Sequence, residues 1–213
     1  MDFFILIFTL IIFLFSVMIH EVSHGAAANA LGDPTAKYAG RLSLNPIKHL
    51  DPIGSILLPG FLLLMNFLSK GGFGLIFGWA KPVPYNPYNL HDQKYGRAKV
   101  GAAGPLSNLL MAIFFGIPLR FFPQTESVFV ENMGMFFTYV VWINLILFVF
   151  NLWPGAPFDG HHILFSFFPS LERKFYFLQN SMMSTIFALF FMSSIGFSII
   201  CPVLFMLITG ISI

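Results

Sequence analysis

The 213-residue chain is 57% hydrophobic and 9% charged, with a net charge of +2. Soluble domains carry about 25% charged residues, so too few charges remain here to clothe a water-facing surface. A soluble globular enzyme, a disordered tail and a nucleic-acid-binding domain are all poor readings, and the lipid bilayer is the expected partner. The length suits one domain over residues 1–213, an all-α polytopic bundle of about four to six transmembrane spans.

In chain order, residues 3–19 are apolar except for Thr9 and Ser16. The run exceeds the apolar core of a signal peptide and has no basic residue before it, so a first transmembrane helix is expected. Nothing stops it before Gly32-Asp33-Pro34. A second apolar run, 53–68, is short and is interrupted by Pro59-Gly60. A Gly- and Pro-rich stretch follows over 71–87. Further spans are expected over 98–119, 135–153 and 182–209, the last with a tilt or a kink near Pro202. The single Cys201 lies in an apolar run and reads as a small buried hydrophobe, with no disulfide or Cys-based metal site.

Basic residues cluster between 33 and 99 and near 173, whereas 120–134 holds Arg120 with Glu126 and Glu131. The positive-inside rule therefore puts 33–52, 81–99 and 169–181 in the cytoplasm, and the N-terminus and 120–134 outside. An even number of crossings must then separate the first helix from 98–119. Either 53–68 dips in and returns, or 53–68 and 70–80 form a tight pair; a re-entrant or extended Gly-Pro-rich element is the favoured reading, provided protein or a water-filled cavity surrounds it.

The sharpest motif is His20-Glu21-Val22-Ser23-His24. On a helix the two histidines share a face, where they can hold one Zn²⁺ with Glu21 beside them as general base. With 6 His and 4 Glu in the chain, chance supplies an HExxH only roughly 0.003 times per chain. Its setting in an apolar helix sharpens the signal, because ionisable groups at membrane depth are expensive and functional by default. The plainer alternative is a polar cluster bonding neighbouring helices. A catalytic zinc needs a third protein ligand. Asp159 follows the 135–153 helix at its cytoplasmic end, and His20 lies about 26 Å along a helix running inward, so their depths match. An aspartate between Pro157 and Gly160 is also an ordinary turn residue.

HEVSHG, NPIKHLDPIGS, FGWAKPVPYNP, GPLSN and NLWPGAPFDGHHIL together resemble the site-2 protease family of intramembrane zinc metalloproteases, in its small form without PDZ or CBS modules. The matching motifs run from residue 20 to about 164. The resemblance implies that His20, His24 and Asp159 ligate one zinc ion and that Glu21 activates the attacking water. It also implies that Asn151, eight residues before Asp159, bonds the substrate or the developing oxyanion; a helix-to-helix hydrogen bond is its alternative role. The family's Leu-Asp-Gly stands here as Phe158-Asp159-Gly160. The expected activity is endopeptidase cleavage of transmembrane or membrane-proximal protein segments, by a multi-pass cell-membrane protein whose active site faces the cytoplasmic side.

Other readings stay open at this point. Intramembrane His and Asp would also suit a membrane metal-ion carrier, and the same chain would serve as a catalytically idle scaffold. Asn108 and Asn144 suit helix-to-helix hydrogen bonds. His161 and His162 read as interfacial histidines, with donation to the Asp159 carboxylate as the alternative role for one of them. Residues 71–87 offer either an extended edge for an unwound substrate or a turn packed on the core.

Overall fold

The structure is a computed structural model that describes residues 3–57, 60–61, 81–122 and 127–211. Its long helices are α1 (Phe3–Ala30), α3 (Gly96–Leu119) and α4 (Val128–Asn151). Between α1 and α3 lie the short α2 (Thr35–Tyr38) and single turns at Pro46–His49, Pro52–Leu57 and Pro87–Asn89. After α4 come α5 (Asp159–Phe167), α6 (Pro169–Lys174), a turn at Tyr176–Gln179, α7 (Ser181–Phe191), a widened π-type stretch at Met192–Ile200 and α8 (Cys201–Thr209). No strand occurs among the described residues.

Four of these helical segments are long and apolar enough to cross a bilayer: Ile7–Ala30, Gly96–Leu119, Val128–Asn151 and Ser181–Thr209. Together they make the chain an all-α, multi-pass membrane protein. Large apolar side chains such as Leu110, Phe114, Phe190 and Leu207 are exposed on the outside of the bundle, where lipid rather than water is the favourable neighbour. Helix α3 is central, packing against α1, α4, α5 and α8. One core is Ala112 and Leu119 of α3, Val141 and Leu145 of α4, and Phe205 of α8. Trp142 stacks on Phe205 with ring centroids 5.0 Å apart, which accounts for that aromatic pair without a cofactor. Cys201 is buried against Val149 and Met192.

Helix α4 begins seven residues before the expected 135, because Glu131 and Asn132 continue the helix beyond its apolar part. Near Pro202 the last span widens over Met192–Ile200. Proline lacks an N–H and crowds the carbonyl four residues back, and a wider turn accommodates both defects. Of the expected re-entrant element, most of 53–68 and all of 71–80 lie outside the described residues.

The end of α1 is tied to the chain that leads into α3. Gly32 turns out of the helix with φ +105°, a conformation open to glycine. Asp33 is fully buried. Its carboxylate accepts from Thr35 N, Thr35 Oγ, Asn86 N and Asn89 Nδ2 at 3.2, 2.5, 2.6 and 2.9 Å. Burial pushes the carboxyl up, but these bonds hold it below the usual carboxylate range. His91 N donates to Leu31 O at 2.8 Å. The segment 81–91 is thereby laid against the C-terminal turns of α1 and Leu31 just beyond, from Glu21 on.

Candidate metal centre

Helix α1 sets His20 and His24 one turn apart, and Asp159 opens α5. The three side chains converge, with ligand atoms all within 4.8 Å of one another. His20 Nε2 and His24 Nε2 are 3.0 Å apart. Asp159 Oδ2 lies 3.1 Å from the first and Oδ1 3.2 Å from the second. His20 is almost wholly buried, whereas the Asp159 side chain is 17% exposed, so the open side of the cluster is at the carboxylate.

The outer hydrogen bonds decide which ring nitrogens carry protons. His24 Nδ1 lies 2.7 Å from the carbonyl of Val100. A carbonyl only accepts, so Nδ1 bears a hydrogen, and in the neutral ring Nε2 then presents a lone pair. His20 Nδ1 lies 2.6 Å from Asn108 Oδ1, with the same consequence. Burial pushes the Asp159 carboxyl up and the adjoining imidazoles hold it down, at about 2, so it is a carboxylate. Oδ2 is buried and has no hydrogen-bond partner despite its closeness to His20. With both rings neutral, lone pairs and a negative charge face one point, and a divalent cation there removes that repulsion. Two imidazoles and a carboxylate are a donor set suited to catalytic zinc, which takes three protein ligands and leaves a further position open.

Two glycines make the convergence possible. A Cβ on Gly104 of α3 would sit 2.4 Å from His24 Nε2 and 2.6 Å from His20 Nε2. The bare backbone of α3 therefore walls the cluster without filling it. A Cβ on Gly160 would meet the carbonyl oxygens of Leu152 and Trp153 at 2.3 and 2.4 Å. Glycine there lets α5 start hard against the end of α4, which aims Asp159 inward.

Glu21, next to His20, accepts from Val83 N at 2.9 Å through Oε2. Pro82 and Pro84 have no N–H, so Val83 supplies the one backbone donor of its tripeptide and gives it to Glu21. Arg41, itself buried, donates to the carbonyls of Lys48, Lys81 and Pro82, and Lys81 N donates to His49 O at 2.9 Å. The N–H groups of Lys81 and Val83 and the carbonyls of Lys81 and Pro82 are thus engaged within the protein. This part of the Gly- and Pro-rich stretch is anchored through buried Val83 while Lys81, Pro82 and Pro84 are exposed; residues 71–80 lie outside the described residues.

The remaining expected residues fall elsewhere. Asn151 Nδ2 donates to Leu147 O in its own helix at 3.0 Å. His162 stands edge-on to Tyr85, with centroids 6.5 Å apart, and His161 packs on Phe165. Burial lowers the pKa of both histidines, which favours the neutral ring. Sequence reading did not anticipate Val83 beside Glu21, nor Asn108 beside His20. The run Lys-Pro-Val-Pro, in which prolines isolate one donor, was the available signal for Val83.

Comparison with known proteins agrees with this chemistry. The model of peptidase family M50 matches residues 116–195, a stretch that holds Asn151 and Asp159 but starts after the histidine pair. Three relatives carry the name "Putative zinc metalloprotease". YwhC of Bacillus subtilis is 36% identical over 203 residues, covering 93% of this chain and 85% of its own. Rip2 of Mycolicibacterium smegmatis is 28% identical over 74% of this chain and 57% of its own. MJ0611 of Methanocaldococcus jannaschii is 32% identical over 48% of this chain and 50% of its own. This chain therefore spans only about half the length of the latter two. No solved structure matches significantly. The chain belongs to peptidase family M50, the site-2 proteases, and is a multi-pass membrane zinc metalloendopeptidase.

Proposed function

We propose that the protein cleaves peptide bonds in or beside transmembrane segments of other membrane proteins. In this reading His20, His24 and Asp159 hold one zinc ion, and Glu21 is the general base. The observation that carries it is the meeting of three ligand-type side chains from α1 and α5, with Glu21 adjoining one of them. When bound, zinc would lower the pKa of water from 15.7 to about 7 and polarise the scissile carbonyl.

The chain's own residues supply the rest. Glu21 Oε2 is steadied by the Val83 N–H, and the carboxylate takes a proton from the attacking water and returns it to the leaving amine nitrogen. A helical substrate hides its carbonyls in its own hydrogen bonds, so the segment to be cut unwinds locally before reaction. Asn151 remains a candidate for contact with that unwound segment. Clustering of Lys and Arg at the end of the bundle that carries residues 33–52 and 81–99 supports a site on the cytoplasmic side of the cell membrane.

The test is Glu21→Gln, assayed on a membrane-embedded substrate in liposomes beside the wild type. Loss of cleavage by several orders of magnitude with zinc retained is expected. Full activity would remove Glu21 as the base.

A further inference from the structure

Three polar side chains lie buried among α1, α3 and α4: Ser16, Asn108 and Asn144, none more than 2% exposed. Polar groups at this depth are commonly helix-to-helix bonds, but here they form a chain with a direction. Asn144 Nδ2 lies 2.9 Å from Val140 O and 2.9 Å from Ser16 Oγ. Because Val140 O can only accept, Asn144 must turn its nitrogen that way and its oxygen toward Asn108. Asn108 must then present Nδ2 to Asn144 Oδ1, at 2.9 Å. The carbonyl of Ser16, 3.4 Å from the same nitrogen, imposes the same orientation independently. Asn108 Oδ1 is left facing His20 Nδ1 at 2.6 Å, so His20 must carry its proton on Nδ1.

We propose that Asn108 and Asn144 are positioning residues that pass the polarity of a backbone carbonyl on α4 to His20, fixing the tautomer that leaves Nε2 free for the metal. The proposal rests on His20 being a metal ligand. Flipping either amide would bring oxygen against oxygen among buried side chains, where unsatisfied polar groups are costly. The chain is therefore locked in one sense. His24 reaches the same tautomer by a shorter route, directly from the Val100 carbonyl. Both ligands of α1 are thus oriented from α3, one by a main-chain oxygen and one through two amides.

The experiment uses the full-length protein in detergent, stripped of metal and titrated with zinc against a chromophoric chelator. Thermal unfolding of the metal-free protein is recorded in parallel. Asn108→Ala should weaken zinc binding about 10- to 100-fold, the usual loss for an outer partner of a histidine ligand. Asn144→Ala, which does not touch His20, should weaken it in the same direction. The double variant should bind no worse than Asn108→Ala alone, because both act through one chain. Asn108→Asp keeps an acceptor for the Nδ1 proton and should bind within a few-fold of the wild type. Nitrogen-15 shifts of His20 in the metal-free protein should report the Nδ1–H tautomer in the wild type and a mixture in Asn108→Ala. Helix-to-helix glue alone would lower the unfolding temperature of the alanine variants and leave zinc affinity and tautomer unchanged, which would overturn the proposal. The His20→Ala control separates the two failures: wild-type zinc affinity in that variant would overturn the ligand reading itself.

Discussion

Gly104→Ala places the smallest possible side chain against the centre of the site. The new methyl would lie 2.4 Å from His24 Nε2 and 2.6 Å from His20 Nε2. To reach even 3.0 Å from the nearer nitrogen, one of the two must move by at least about 0.6 Å, since 3.0 less 2.4 is 0.6. Metal–ligand distances tolerate only about 0.2 Å. The imidazoles cannot simply rotate away, because their outer nitrogens are held by Val100 O and Asn108 Oδ1. Misplacement of this size costs on the order of 100-fold, or about 2.8 kcal/mol of zinc affinity at about 1.4 kcal/mol per tenfold. Overpacking itself should destabilise the fold by roughly 1–3 kcal/mol. Chelator competition measures the first quantity and thermal unfolding the second. Gly101→Ala is the comparison. Its methyl would approach His162 Cβ at 3.1 Å and Asp159 O at 3.2 Å but neither imidazole donor, so a milder loss is expected. Wild-type zinc affinity in Gly104→Ala would refute the claim that α3 lines the metal cluster.

Two further predictions follow from the loop that lies on α1. Val83→Pro removes the N–H that reaches Glu21, whereas Val83→Ala keeps it. A hydrogen bond to a charged group is worth about 1.5–3 kcal/mol. Val83→Pro should therefore lower kcat on the order of 10- to 100-fold with KM and zinc affinity held, and a wild-type kcat would show that this bond does nothing for Glu21. Asp33 is a group whose folded pKa is depressed. Its stabilising effect is full above its ordinary value of about 3.9 and is lost as pH falls through the lower folded value. The gap in unfolding temperature between the wild type and Asp33→Asn should accordingly be constant at neutral pH and close in acid; a gap that widened in acid would contradict the assignment.

Hydropathy made the spans legible, because bilayer thickness and helical rise fix how many apolar residues a crossing needs. The histidine pair was legible because residues four apart share a helix face. Asp159 was harder, since its meeting with His20 spans a gap of 139 positions and depends on Gly160 allowing α5 to start so close to α4. The asparagines show where reading along the chain fails. Asn108, Asn144 and Asn151 all sit in apolar helices, and nothing in their neighbourhoods says which turns toward the metal. Tertiary packing alone puts Asn108 on His20 and leaves the amide of Asn151 on its own helix. The loop 81–91 was equally opaque. Its order comes from Asp33, Arg41 and Glu21, each more than 35 residues upstream of its partner there.

The central claim is that His20, His24 and Asp159 together grip one divalent ion. X-ray absorption on the zinc-loaded protein tests it most directly. Two imidazole nitrogens at about 2.0–2.1 Å and carboxylate oxygen at about 2.0–2.2 Å are expected, at one zinc per chain, with the imidazole signal halved in His24→Ala. A shell of oxygens without imidazole, or one unchanged by that substitution, would contradict the account.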